Sequence, residues 1–501
     1  MSIYIILESQ KMTKRKNRGK KNDKWLMIIA LEVAFIQFVL SVMTTYFLID
    51  ANVLPTLYTA LIIIFLAVLI ALTVFLLWKN FKRVRYYIGL ALSLIISIIL
   101  VVVNLAFYDV LGTIKTITGS TEETVRIGVY VLDEDSAQTI NDAMYYTFGI
   151  MESLLREDTD QAIEMIDEKL DYTIETAEYS GFDTLADALL SGECGAIIIS
   201  EDFVDMITEV DGYEDFDELV REITYYEWSE TVSISEDADS DDDGVFIMYI
   251  SGIDTYGAVS VKSRSDVNIL AVVNTNTKQV LLVSTPRDYY VELSISNGVK
   301  DKLTHAGIYG VDVSVETLEM LYDTEIDYYF RLNFTGFEDL IDTLGGITVY
   351  SEYSFEAGGY TFSEGYNTMD GAAALAFARE RHAFSSGDRQ RGKNQMAVIE
   401  AVIAKLQTSA ILNNFSGLLE SLEGSFETDM SYSTVMSLVK QQLTDGGSWD
   451  VVSYSVDGTG TYSTTYSMNQ SLYVMVPDEE TVETAKELIN SVLANEVVSV
   501  E

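Results

Sequence analysis

Residues 266–288 read DVNILAVVNTNTKQVLLVSTPRD. The runs 266–274 and 280–285 are apolar and rich in β-branched residues, the pattern of buried β-strands. Pro286 directly follows the second run, and a third run of the same kind lies at 245–251. Downstream, helices are expected at 314–322, 336–344, 371–380 and 393–405. Gly345 and Gly346 fall where a helix should stop before a strand at 347–350. This succession of strands and helices predicts an α/β layer fold.

Upstream, residues 236–244 (EDADSDDDG) are nearly free of apolar side chains. Read as a calcium loop from Asp239, the stretch puts Gly244 at the sixth position, but Ile250 rather than Glu at the twelfth. A solvated acidic linker at 234–244 is the better account. Before it, residues 119–233 alternate strand and helix again, with strands at 126–132 and 195–200 and helices at 162–170, 184–190 and 216–223. Between 116 and 261 the basic residues are Arg126, Arg156, Lys169 and Arg221 alone. No catalytic constellation stands out, so this is read as an accessory α/β domain, a spacer or a binding module. Cys194, the single cysteine, permits no internal disulfide and no cysteine-based zinc site, and reads as a small core residue.

The N-terminal region differs in kind. Apolar stretches at 25–48, 57–78 and 86–107 each reach the about 20 residues that a bilayer-spanning helix needs. The tail 1–24 carries Lys11, Lys14, Arg15, Lys16, Arg18, Lys20, Lys21 and Lys24, and the second loop carries Lys79, Lys82, Arg83 and Arg85. The first loop has no basic residue. By the positive-inside rule, the tail and second loop face the cytoplasm and everything after the third span lies outside the cell. Residues 1–85 hold 12 of the 32 Lys/Arg and 4 of the 77 Asp/Glu, leaving 20 basic and 73 acidic residues for the rest. So acidic a remainder argues against nucleic acid as a partner.

Two clusters can carry chemistry. The first is Gly252-Ile253-Asp254, Arg264-Ser265-Asp266 and Pro286-Arg287-Asp288, where charged groups fall near strand ends, the place where open α/β sheets bind ligands. Asp266, at the start of its strand, fits that rule less directly. Paired aspartates without Cys or His suit a hard cation, Mg²⁺ or Mn²⁺, although Asp254 and Asp266 could equally cap turns. The second cluster runs from Arg379-Glu380-Arg381 to residues 387–395, GDRQRGKNQ. It places five of the 20 outer basic residues between Arg379 and Lys393. Guanidinium forks suit phosphate oxygens, and a solvated helix end is the plain alternative. Together the clusters point to phosphoryl chemistry by positioning and charge neutralisation. No Gly-rich phosphate loop is present, and His305 and His382 read as structural or surface histidines.

These motifs, GID, RSD, STPRD, DKLTHA, LGGI, FARERH and GDRQRGKNQ, occur in the order characteristic of the LytR–CpsA–Psr (LCP) family of cell-wall glycopolymer ligases, which the chain resembles from about residue 245 onward. Three spans followed by an accessory domain look like the streptococcal capsule-type branch. The resemblance implies three membrane helices, an accessory α/β domain and, over 245–501, an α/β LCP domain with a central mixed sheet. It implies an Mg²⁺-dependent phosphotransferase that moves a phosphoglycan from a polyprenyl-pyrophosphate carrier to a peptidoglycan hydroxyl, so the lipid-linked glycan, peptidoglycan and the membrane are its expected partners. Carried onto this chain, Asp254 and Asp266 hold the metal. Arg287, Arg379, Arg381 and Arg391 clamp the pyrophosphate with Gln395 in support, and Lys302, Asp288 and Arg264 are weaker carry-overs.

Where the family commonly has Arg-Gln-Gln after its GD, this chain has Asn394-Gln395-Met396, which weakens the clamp at that position. The proton acceptor is open between Asp254 and Asp288, and a metal ligand can hardly serve as a free base as well. An apolar slot between sheet and helices near the membrane is expected for the polyprenyl chain. Two competing readings use the same site: a hydrolase with water as acceptor, and a non-catalytic regulator or assembly factor that binds the lipid-linked glycan.

Overall fold

The computed structural model describes residues 28–49, 56–77, 83–117, 122–231, 244–253, 259–384, 387–408, 424, 426–468 and 470–500. The basic tail, nearly all of the acidic linker and Asp254 lie outside these residues. The chain divides into two compact units, residues 1–115 with 431–447, and residues 116–430 with 448–501.

In the first unit, helices α1 (Ile28–Ile49), α2 (Thr56–Leu77) and α3 (Arg83–Ile117) are each long and apolar enough to cross a membrane. Their surface is largely apolar, with Leu31, Phe35, Ile64 and Phe65 all exposed, as a lipid-facing helix requires. Their polar side chains turn inward instead. Ser93 donates to Gln37, and Thr44 donates to Asn104 at 3.2 Å, so polar contacts join α1 to α3.

The second unit opens with the accessory domain: β1 (Glu122–Leu132), β2 (Thr147–Met151), α4 (Arg156–Leu170), β3 (Glu175–Tyr179), α5 (Phe182–Ser191), β4 (Ala196–Ile199), α6 (Glu201–Thr208), α7 (Phe216–Leu219) and β5 (Val220–Thr231). They build a mixed sheet in the order β3-β2-β4-β1-β5. Along β4, Ile197 and Ile199 pack with Leu185 and Phe203, while Ala196 and Ile198 pack with Ala162 and Ile166. Helices therefore cover both faces, which is why β4 reads as an unbroken apolar run. Cys194 is buried beside it, and burial pushes its thiol up to about 11. The helix expected at 216–223 stops at Leu219. Val220 instead opens a long strand that pairs with β1 from Leu132↔Val220 to Glu122↔Thr231.

The remainder contains β6 (Val245–Ile253), β7 (Ser265–Asn274), β8 (Gln279–Thr285), β9 (Tyr290–Glu292), β10 (Lys300–Lys302), α8 (Ala306–Tyr309), α9 (Val311–Tyr322), β11 (Tyr328–Leu332) and α10 (Phe334–Thr343). Then come β12 (Ile347–Ser351), β13 (Phe355–Ala357), β14 (Tyr360–Phe362), β15 (Gly365–Met369), α11 (Gly371–Arg379), α12 (Asp388–Leu406) and β16 (Phe426–Thr428). Helix α13 (Tyr432–Asp445), which groups with the first unit, precedes β17 (Asp450–Ser455), β18 (Gly458–Thr464), β19 (Ser471–Pro477) and α14 (Glu479–Leu493). Six strands form one mixed sheet in the order β16-β11-β6-β7-β8-β17. Leu270 and Val272 of β7 face Leu318, Tyr322 and Ile489 on α9 and α14, whereas Ile269 and Ala271 face Met396 and Ile399 on α12. The result is a three-layer α/β/α core.

Strand direction decides where a ligand can bind. Both β6 and β8 run antiparallel to β7, β11 runs parallel to β6, and β17 runs parallel to β8. The C-terminal ends of β6, β8, β11 and β17 therefore share one edge with the start of β7. Asp266, the misfit of the strand-end rule, reaches that edge because its strand runs the other way.

Candidate functional site

Three elements bring five charged groups to this edge. Asp266 is the second residue of β7, Arg287 and Asp288 follow β8, and the first turns of α12 carry Asp388 and Arg391. Helix α12 begins at Asp388 rather than at 393, which puts Arg391 inside a helix and fixes its direction. Asp266 Oδ1 accepts a hydrogen bond from Arg287 Nη1 at 2.8 Å, and its Oδ2 lies 3.9 Å from Arg391 Nη1. Arg391 also pairs with Asp388, and Arg287 Nε stands 3.8 Å from Asp288 Oδ2.

Asp266 and Asp388 are not equivalent. Burial disfavours the charge on Asp266, but Arg287, Arg391 and Arg264 outweigh it and hold the carboxyl below the usual range. Asp388 goes the other way. Burial raises it and Asp288 and Asp266 add to the rise, against the pull of Arg391 and Arg287. Arg287 remains firmly protonated, since Asp266 and Asp288 overcome the cost of its burial.

Beside this cluster lies a cavity of about 320 Å³ between the sheet and helices α10, α11 and α12. Ile250, Val267, Phe337, Leu375, Val398 and Ile399 make its apolar wall, and Asp266, Arg287, Arg379, Arg381, Arg391 and Gln395 make its polar one. Arg379 ends α11, where a cation suits the helix dipole, and its guanidinium lies over the Phe334 ring at 4.0 Å. Arg381 Nε donates to His382 Nε2 at 3.3 Å. Gln395 and Asn394 donate to the carbonyls of Ala378 and Phe377, tying α12 to the end of α11. Asn394 is buried in this helix contact and Met396 in the sheet core, so neither lines the cavity where the family pattern would place a further arginine and glutamine. Gly371 lets α11 approach α10, since a Cβ there would sit 2.4 Å from the Glu338 carbonyl oxygen.

Other expected residues stand apart from the cavity. Lys302 and Asp288 do not line it: Lys302 Nζ lies 3.5 Å from Asp288 and 2.6 Å from Glu209 of the accessory domain. Arg264 turns to Asp205 at 2.8 Å and Glu209 at 3.3 Å. His305 is buried against Asp301 at 2.7 Å, a structural pair as expected. Two site residues escaped sequence reading. Asp388 is masked in the sequence by the basic residues Arg389, Arg391 and Lys393 around it, and Phe334 carries no signal until α10 and α11 face one another. Among the described residues, no group of three or more His, Cys, Asp or Glu side chains is placed to hold a metal. Asp266 remains a suitable single ligand, a hard oxygen donor held ionised by its surroundings.

The sequence profile of the LytR_cpsA_psr family matches residues 207–489, more than half of the chain. The polyisoprenyl-teichoic acid–peptidoglycan teichoic acid transferase TagU of Bacillus licheniformis is 35% identical over 195 residues, covering 39% of this chain and 63% of the relative. The TagU transferase of Bacillus subtilis is 31% identical over 247 residues, covering 49% of this chain and 78% of the relative. Among solved structures, B. subtilis TagV aligns at 26% identity and a TM-score of 0.43, over 51% of this chain and all of that one. B. subtilis TagU aligns at 28% and 0.40, over 51% of this chain and 99% of that one. With the profile covering more than half of its length and the B. subtilis relative matched over most of its own, the chain belongs to the LytR_cpsA_psr family.

Proposed function

We propose that the protein is a phosphotransferase that moves a phosphoglycan from a polyprenyl-pyrophosphate carrier to a peptidoglycan hydroxyl. One observation carries this reading: four arginines and an ionised aspartate rim a cavity whose other wall is apolar. A pyrophosphate attached to a hydrocarbon chain has that same division, with anionic oxygens for guanidinium forks and an apolar tail for the slot. The named activity of the TagU relatives supports it.

In the reaction, Arg287, Arg379, Arg381 and Arg391 hold the pyrophosphate oxygens and offset the charge that develops on them. The acceptor hydroxyl oxygen bonds to the phosphorus next to the glycan, and the bond from that phosphorus to the bridging oxygen breaks. Polyprenyl phosphate leaves with the bond's electron pair. The hydroxyl proton passes to a carboxylate free of a ligand role, for which Asp388, which shares a small cavity with Asp266 and Arg287, is better placed than Asp288, which turns to Lys302. Asp266 and Asp254 would hold Mg²⁺ or Mn²⁺, which when bound neutralises further charge on the pyrophosphate. Gln395 acts by tying α12 to the end of α11, and Lys302 acts from behind Asp288. The N-terminus lies in the cytoplasm and the second unit outside the cell, a reading supported by the basic tail and second loop.

The test uses the full chain in nanodiscs with a synthetic polyprenyl-pyrophosphate oligosaccharide, peptidoglycan fragments and Mg²⁺, followed by mass. Polyprenyl phosphate should appear together with a sugar phosphodiester on the acceptor, and chelation should stop both until Mg²⁺ is restored. Release without acceptor modification would make the protein a hydrolase. Binding without release would make it a regulator or assembly factor.

A further inference from the structure

Glu209 directly follows α6 of the accessory domain and begins a chain of charges that ends in the candidate site. Its Oε2 lies 2.6 Å from Lys302 Nζ, and that ammonium lies 3.5 Å from Asp288 Oδ1. Asp288 stands 3.8 Å from Arg287, which holds Asp266 at 2.8 Å. The Lys302 side chain is only 4% exposed, so these are not solvent-swept surface pairs. Burial disfavours the charge on Glu209, yet Lys302, His305 and Arg264 outweigh it and hold its carboxyl below the usual range.

The same domain grips the segment that leads into Asp266. Thr124 N donates to Ser260 O at 2.7 Å, and Lys262 N donates to Thr124 O at 3.0 Å. Lys262 Nζ reaches Glu230 at 2.7 Å, and Ser263 Oγ donates to Asp202 at 3.0 Å. Ile308, Met468 and Leu472 complete the apolar core around α5 and α6. Gly307 allows α8 to lie against this segment, since a Cβ there would meet Ser263 O at 2.4 Å. Main-chain bonds, ion pairs and a shared core thus join the accessory domain to the segment that leads into Asp266.

We propose that Glu209 is a positioning residue of the donor site: by fixing Lys302 it sets Asp288, and through Asp288 the aim of Arg287. This rests on the reading of the site as one for a lipid-linked pyrophosphate. Glu209 itself touches no substrate, and the accessory domain acts through it as the outer support of the site.

The test compares Glu209→Ala, Glu209→Asp and, as control, Glu222→Ala, which breaks an ion pair with Arg126 wholly inside the accessory domain. All are made in the full chain in nanodiscs. Affinity for inorganic pyrophosphate with Mg²⁺ is read by calorimetry, and turnover of the lipid substrate is read beside it. Glu209→Ala should bind pyrophosphate about ten-fold more weakly and turn over about ten-fold more slowly, with a melting temperature within about 2 °C of the parent. Glu209→Asp should recover part of both, and Glu222→Ala should change neither. In an Arg287→Ala background, Glu209→Ala should have no further effect on pyrophosphate affinity, because both residues act through one contact. Parental affinity in Glu209→Ala, additive losses with Arg287→Ala, or losses that track melting temperature across all variants would overturn the proposal. If the parent binds pyrophosphate and the cycle holds but no lipid substrate turns over, the phosphotransferase reading fails and the positioning role stands. If the parent binds no pyrophosphate, both fail.

Discussion

Arg331, within the central sheet, and Arg287, just beyond its strand β8, each stand between two carboxylates, and they do opposite things. Arg331, in β11, pairs with Glu123 of the accessory domain and, at 2.6 Å, with Glu427 of β16. All three side chains are 2% exposed or less. Arg287 pairs with Asp266 at 2.8 Å and more loosely with Asp288 at 3.8 Å, and it is 18% exposed beside a cavity. The chemistry of the two clusters is the same and the access differs. A sealed arginine can only join the parts around it, whereas an arginine opening on a cavity can exchange a protein carboxylate for a ligand's oxygen. Burial, more than residue type, separates the interdomain joint from the candidate site.

The largest expected effect breaks the sealed cluster. Arg331→Met leaves Glu123 and Glu427 buried without the guanidinium they share, which should cost about 3–5 kcal/mol in denaturant unfolding. Adding Glu123→Gln and Glu427→Gln should restore much of it, because the penalty belongs to the orphaned charges. Little recovery would mean that the joint depends on the ion pairs themselves. Next comes the open cluster. Arg287→Lys keeps a positive charge but loses the fork, and should lower turnover by about 10²–10³-fold. Its stability loss should be smaller than that of Arg331→Met. If the two variants lost stability alike, the contrast between joint and site would fail.

Sequence reading reached these two arginines unequally, for a physical reason. Arg287 was visible because a basic residue after an apolar strand in a strongly acidic chain has few structural explanations. Arg331 was not, because its partners lie 208 and 96 residues away and a single charge within an apolar strand resembles a surface residue. Lys302 and Arg264 were assigned to the site or its margin, yet their closest partners include Glu209, Asp205 and Asp202, which no spacing reveals. The central strands were legible because burial on both faces leaves continuous apolar runs. The start of edge strand β5 does not read as a strand because the adjacent charges Arg221 and Glu222 break the pattern, so Val220–Ile223 resembles a continuation of the helical turn before it.

The joint should also respond to pH. Asp202 accepts from Ser263 and from Arg264 N, but burial pushes its carboxyl up to about 6 in spite of Arg264. The folded value lies above that of an unfolded aspartate, near 3.9, so the folded state binds the proton more tightly. The stabilising contribution is fully present below about pH 4 and is lost as pH rises through about 6. Relative to Asp202→Asn, which cannot titrate, the parent should gain roughly 1–3 kcal/mol between pH 7 and pH 4. Unfolding of both proteins across that range measures the difference. Parallel curves would mean that Arg264 already offsets the burial in full.

The smallest expected effect concerns an arginine aimed by a ring. Arg379 lies over Phe334 at 4.0 Å, and the ring face helps to aim the cation. Phe334→Leu preserves apolar volume but removes the π face, at a cost of about 0.5–2 kcal/mol. Since Arg379 should contact the pyrophosphate in both ground and transition states, the loss should appear as a roughly two- to thirty-fold higher KM for the lipid substrate, with kcat nearly unchanged. Phe334→Tyr keeps the face and should restore KM. A fall in kcat instead would place Arg379 with Arg287, among the groups whose hold tightens as the phosphorus is transferred, and the distinction between ring-aimed and carboxylate-held arginines would then carry no kinetic meaning.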